Sequence, residues 1–273
     1  MLRDITLGQY FPGNSVLHRA DPRTSILLSI LFIVTVFFAR SAPAYGFILL
    51  LSLLLVMISK IPLKTVLRGI RPLLIIMIIT ALLNVFWHSG EDVLFSFWKI
   101  TVYKEGVIAA VYMIVRIFSL IVGTSVILSY TTSPLSLADG LERLLAPLKL
   151  IKLPVHEFSM MMTIAMRFIP TLIDETDKIT SAQKSRGADL STGGLVKRAK
   201  ALIPILIPLF ISSFRRADEL ATAMECRCYR GGKGRTRMNE LRMSALDFAL
   251  LFVFSAVLAG VILLSRFLPY YAL

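Results

Sequence analysis

Acidic residues, cysteine and histidine are all scarce in this chain. Seventeen Asp and Glu stand against thirty Lys and Arg in 273 residues, for a formal net charge of +13. Two cysteines and three scattered histidines, His18, His88 and His156, cannot make a disulfide framework or a zinc site. They also lack the clustering at one membrane depth that a membrane-embedded enzyme of lipid phosphates would need. Charge of either sign is sparse, at 17% where a soluble chain carries about 25%. Met1–Gly13 lacks the apolar run of about 7–15 residues that a cleavable signal peptide requires, so none is expected.

Apolar residues fill that space: 56% of the chain, with a mean hydropathy of +0.75. They lie in blocks, which marks an all-α integral membrane protein. Asp21-Pro22 supplies a cap and a first-turn proline for a span running through Ile26–Ala39. Further apolar runs are Ala44–Ser59, Pro72–Trp87, Gly106–Tyr130 and Ser244–Leu268. A crossing helix needs about 20 residues, which gives about five spans within a range of about four to eight. Trp87 and Trp98 are placed as interfacial anchors. Residues 1–130 thus read as an N-terminal membrane domain of four spans, 131–243 as an amphipathic region, and 244–273 as a last span.

Lysine and arginine crowd the Lys60–Arg71 connection and the 131–243 region, while Arg40–Pro43 and His88–Lys104 carry few. The positive-inside rule then predicts a multi-pass cell-membrane protein with a cytoplasmic N-terminus and inner region and an external C-terminus. Beside apolar spans, such basic residues suit anionic headgroups or an acidic protein better than nucleic acid. The inner region reads as three amphipathic helices. The first is Leu135–Leu150, with a leucine stripe at Leu137, Leu141, Leu144, Leu145 and Leu148. The second opens at Pro154, with Val155, Phe158, Met162, Ala165, Phe168, Ile169, Leu172 and Ile173 expected on its buried side. The third is Leu195–Arg227, carrying Pro204 and Pro208.

The last two helices end alike. Asp177 is followed by Ile179, Ala182 and Arg186, and Asp218 by Leu220, Ala223 and Arg227, at the same intervals. A cation at a helix C-terminus complements the dipole by about 0.3–1 kcal/mol. Dipole compensation, however, makes no demand on Asp177 and Asp218 or on Ala182 and Ala223. Small alanines admit a close backbone and a guanidinium pairs bidentately with a carboxylate. Two like cationic tips therefore point to two like acidic clefts in partner proteins. Gly187 is expected as the left-handed cap of the first tip.

Arg167-Phe168-Ile169-Pro170-Thr171-Leu172, Ser185-Arg186-Gly187 and Ala221–Gly232 resemble motifs of the transmembrane T component of energy-coupling factor (ECF) transporters. That family carries two short Xaa-Arg-Gly motifs, most often Ala-Arg-Gly, at the ends of crossed cytoplasmic coupling helices. Arg186 matches the first, with Ser185 for alanine. Arg227 matches the second, with Cys226 and Cys228 where alanine and glycine are usual, a departure that bears on the cap. The resemblance implies a non-catalytic subunit without cofactor or metal. It would join two cytoplasmic ABC-type ATPases to a separate, exchangeable substrate-binding membrane subunit for vitamin or other micronutrient uptake. It assigns ATPase coupling to Ser185, Arg186, Gly187, Cys226, Arg227 and Cys228, supported by Asp177, Ala182, Asp218, Ala223 and Glu225. Met160, Met161, Met162 and Met166 would offer an adaptable face to the substrate-binding subunit.

Four features invite other roles. Arg116, inside an apolar span, calls for a structural pair or a polar contact such as Asn84. Arg167 is a candidate brace where the long helices cross. Gly231–Thr236 fails the phosphate-loop spacing and follows no strand, and the Cys226/Cys228 pair lacks two further metal ligands. A self-contained secondary transporter is the other class to consider, but it calls for polar residues in several spans and inverted repeats across halves. The repeat here lies in the inner helices.

Overall fold

Asp21 accepts the backbone N–H of Arg23 at 2.9 Å and Pro22 takes the first helical position, so α1 (Pro22–Phe38) starts at a capped Asp-Pro step. The computed structural model describes residues 10–87, 92–97, 100–147, 154–188, 194–231 and 241–267. Its helices continue with α2 (Ala42–Ser59), α3 (Leu63–Ile70), α4 (Leu74–Trp87), α5 (Lys104–Thr124), α6 (Pro134–Leu144), α7 (Val155–Ser185), α8 (Leu195–Cys226) and α9 (Ala245–Phe267). Two compact units result: residues 8–143 with 241–273, and residues 144–240.

Among the described residues, four helical runs are long and apolar enough to cross a membrane: Ala42–Ser59, Leu63–Trp87, Lys104–Tyr130 and Ala245–Phe267. Helix α1, with 17 residues, reaches the lower limit of about 17 for a crossing. The third run departs from expectation. It begins at Leu63 rather than Pro72, because Val66 and Ile70 are buried and hold the basic segment helical. Pro72 falls in a 3-10 turn, Arg71–Leu73, within that run. Lys60, at φ 56°, closes α2 in the left-handed conformation just before it. The expected connection after α4 contains a non-helical element, an antiparallel hairpin of β1 (Val93–Phe97) and β2 (Ile100–Tyr103). His88, Trp98 and Leu148–Leu150 lie outside the described residues.

In the first unit the core is built where α1, α2, α5 and α9 meet. Leu28, Phe32, Val36, Ile48, Val122, Val126, Ile127, Tyr130 and Val261 are all buried there. Helix α1 meets α5 at Gly123, where an added Cβ would lie 2.1 Å from the Phe32 ring. A π-helical turn, Ser125–Tyr130, ends α5, and Tyr130 accepts the Phe11 N–H at 2.9 Å, which fastens the N-terminal arm. Arg116 does not meet Asn84, whose amide turns back to the Thr80 carbonyl at 2.9 Å. It donates to the Tyr45 hydroxyl and lies over that ring at 5.5 Å, and Tyr45 stacks on Tyr112 at 4.9 Å. A cation in a low-dielectric span thereby gains a hydroxyl and a π face. Helix α6 also differs. Ser133 caps it by accepting the Ser136 N–H at 3.2 Å, but Leu135 and Leu141 face outward. Its buried positions are Ala138, Gly140 and Glu142. At Gly140 a Cβ would come within 2.9 Å of Pro22, so only a small residue fits against the start of α1.

One carboxylate joins the first and last spans. Asp247, 1% exposed, accepts the Asp21 N–H at 2.8 Å and the Ser244 N–H and Oγ at 2.7 and 2.9 Å. It reaches back from the first turn of α9 to the residue that precedes that helix, Ser244, and holds the cap residue of α1 as well. Arg23 completes the cluster with Asp21 at 2.9 Å and the Leu241 carbonyl at 2.8 Å. At the opposite ends the Arg40 N–H reaches Ser265 Oγ at 3.2 Å, so α1 and α9 run parallel across one layer. Replacing Asp247 by Ala leaves buried donors at two helix starts unpaired, and should cost about 2–4 kcal/mol. Thermal unfolding of the detergent-solubilised chain checks this: a marked fall in midpoint is expected, and an unchanged midpoint contradicts the double cap.

Candidate functional site

The helices α7 and α8 of the second unit are 31 and 32 residues long. Most of a helix's stability in a protein comes from packing of its apolar face, so their contact with each other matters. Glu175 accepts a hydrogen bond from Arg216 at 2.8 Å as a half-buried ion pair. Farther along α7 but earlier along α8, the Gln183 amide donates to the Pro204 carbonyl at 3.3 Å. The order of these contacts means that the two helices pass in opposite senses, with their C-terminal tips pointing away from each other. Arg167, expected as the brace, is exposed; Arg216 and Glu175 fill that place.

The prolines explain the second contact. In a regular helix the carbonyl of residue 204 accepts the N–H of residue 208, but Pro208 has none to give. The Pro204 carbonyl is left without its ladder partner, and Gln183 supplies one from the neighbouring helix. Gln183 also stands at the last turn of α7, where its carbonyl accepts the N–H groups of Arg186 at 3.1 Å and Ala188 at 3.0 Å. One residue thus shapes the tip of α7 and pins it to the middle of α8.

Both tips have the same backbone. After α7, Ala188 N–H bonds the Gln183 carbonyl at 3.0 Å and Gly187 N–H the Lys184 carbonyl at 3.0 Å. After α8, Tyr229 N–H bonds the Met224 carbonyl at 3.0 Å and Cys228 N–H the Glu225 carbonyl at 2.8 Å. Each is a Schellman cap, with bonds spanning six and four residues. Arg186 and Arg227 occupy the same position in it, the residue just before the left-handed one. Gly187 takes that left-handed place at φ 84°, and Cys228 takes it at φ 55°. The substitution of cysteine for glycine therefore keeps the cap geometry, with steric strain from its Cβ.

Arg186 and Arg227 are exposed, as are Ser185, Gly187, Cys226, Cys228, Ala182, Ala223, Asp218 and Glu225. Asp177 is half-buried. Both cysteines are free thiols. Met161 is 58% exposed, and Met160, Met162 and Met166 are half-buried. Of the α7 positions expected on a buried side, Val155 is buried while Phe158 and Ala165 are exposed. Helix α8 likewise leaves Leu206, Ile207, Phe210, Ile211 and Phe214 uncovered. Among the described residues no group of three or more His, Cys, Asp or Glu is placed to hold a metal. Most of the Gly231–Thr236 segment lies outside the described residues. Sequence reasoning missed Glu175, Gln183 and Arg216. For Gln183 a signal existed: prolines four apart in one helix leave an unpaired carbonyl.

Two substitutions test these tips. Cys228→Gly removes the left-handed strain and should stabilise by about 1 kcal/mol, whereas Cys228→Val should destabilise by more. Hydrogen exchange at the last turn of α8 reads this out, and slower exchange in the glycine variant is the expected result. Gln183→Ala should speed exchange at the end of α7, and equal protection in both proteins would contradict the pinning.

The comparisons with known proteins agree with one another. A profile of the CbiQ family, described as cobalt transport protein, matches residues 13–238. The energy-coupling factor transporter transmembrane protein EcfT of Clostridium kluyveri is 52% identical over 267 residues, covering 97% of this chain and 98% of the relative. That of Ruminiclostridium cellulolyticum is 53% identical over 247 residues, covering 90% and 92%. That of Lactococcus lactis subsp. cremoris is 46% identical over 263 residues, covering 96% and 98%. Similarity of this extent, over a helical membrane architecture with two equivalent arginine tips, shows that the chain belongs to the CbiQ family as a non-catalytic EcfT-type transmembrane component of energy-coupling factor transporters.

Proposed function

We propose that Arg186 and Arg227 each enter an acidic groove on one of two cytoplasmic ATPase subunits, and that α7 and α8 carry the ATPase movement to a separate substrate-binding membrane subunit. The observation that supports this most is the equivalence of the tips: two exposed guanidiniums in the same cap, at opposed ends of a crossed helix pair. A guanidinium held on a fixed backbone suits bidentate pairing with carboxylates. Opposed tips can engage two sockets at once, and the brace and the pin make a displacement of one helix felt by the other.

The exposed face around Met161 and the uncovered apolar side of α8 supply the contact for the substrate-binding subunit, where methionine accommodates different partners. Its cargo is a vitamin, a metal ion or another micronutrient. Orientation follows from charge. The α1 and α9 starts share a membrane face with the α2–α3 corner, and that face carries Arg19, Arg23, Lys60, Lys64, Arg68 and Arg71. Arg40 and Lys104 lie at the other. By the positive-inside rule the first face is cytoplasmic and the C-terminus external.

Replacing Arg186 and Arg227 together by Ala should abolish ATPase attachment while the chain still inserts in the membrane. Each alone should weaken attachment by about 2 kcal/mol, or about thirtyfold, as for an anchoring interfacial arginine. Co-purification and uptake assays measure this, and unchanged uptake in the double variant removes the two-socket mechanism. Membrane-impermeant thiol reagents should reach Cys226 and Cys228 only from the cytoplasmic side. Labelling of intact cells from outside would reverse the orientation.

A further inference from the structure

Helix α3 is the part of the membrane unit whose chemistry the coupling mechanism leaves unused. Six of its eight residues, with Arg71 just past its end, fall into three lengthwise sectors. At about 100° per residue, Val66 and Ile70 share one side, and both are buried against the protein. Leu63 and Leu67 form the next sector and are more than 60% exposed. Lys64, Arg68 and Arg71 follow within an arc of about 60°, all exposed, with Lys60 at the preceding corner. Among the described residues none of these four cations has an ion-pair partner. Among the described residues, then, nothing neutralises the stripe.

Its depth is fixed by covalent continuity. Leu63–Trp87 is one apolar helical run capable of crossing a membrane, so α3 stands where that span leaves the hydrocarbon. There the exposed leucines face acyl chains and the cations stand at the level of the phosphates. A wholly aqueous acidic protein would satisfy the cations but leave Leu63 and Leu67 in water. An anionic phospholipid satisfies both sectors at once. We infer that Lys60, Lys64, Arg68 and Arg71, with Leu63 and Leu67 beneath them, form a binding site for the headgroups of anionic phospholipids at the membrane face where α1 and α9 begin.

The test uses the full chain in detergent, titrated with phosphatidylglycerol or phosphatidylcholine of identical acyl chains and read by native mass spectrometry. Phosphatidylglycerol should be retained about tenfold or more tightly, the effect of several cations near an anionic surface. The K64Q/R68Q/R71Q variant should lose that preference, and K64R/R68K/R71K should keep it. The R40Q/R266Q variant, altered at the other membrane face, should behave as the parent. A parent chain with equal affinity for both lipids overturns the site, and so does a glutamine variant that keeps the preference. Loss of ATPase attachment with the lipid preference intact would assign the stripe to a protein partner and equally overturn it. Should the glutamine variant fail to fold, the parent chain and the charge-keeping variant decide alone.

Discussion

A helix must stop with its last carbonyls satisfied, and the way α7 and α8 stop sets the chemistry of the second unit. Each closes with the same pair of crossing hydrogen bonds, and that closure needs a residue in the left-handed region directly after the arginine. The cap turns the chain away, and the guanidinium stands exposed at the end of a rigid rod. Two rods ended identically present the same cationic group in the same local frame. That is a physical reason for one sequence pattern to occur twice in a chain.

The first unit solves a different problem. Five apolar helices need a common frame in a solvent that gives no hydrophobic drive to their association. Here small residues and polar caps do the joining. Gly123 lets α5 touch Phe32 of α1, and Gly140 lets α6 rest on Pro22. Asp247 ties the starts of α1 and α9 with three hydrogen bonds. The outward surfaces of α4 and α9 stay apolar, as lipid contact requires.

Much of this was legible in the sequence. The apolar runs located the spans, with the start of the third misplaced by nine residues, and the Asp21-Pro22 step and Gly187 marked a helix start and stop. Local pattern failed where the decisive partner is remote. Nothing near Asp247 announces a bond to Asp21, and nothing near Arg116 announces Tyr45. The basic segment after Lys60 read as a loop because its charges masked Val66 and Ile70. Cys228 left the geometry of its cap open because glycine is the usual left-handed residue, yet the six-residue closure holds it there at φ 55°. The leucine stripe of α6 was read in part: Leu137 and Leu144 are half-buried and Leu141 is exposed, while the tight contact falls at Gly140.

The most direct test of the two-socket account is photocross-linking from the tips within the assembled complex. A photoreactive residue at Ser185, and separately one at Cys226, should each trap an ATPase subunit. A chain bearing both should trap two ATPase copies at once. Capture of a single ATPase by both sites together, or of none from either, would contradict the account.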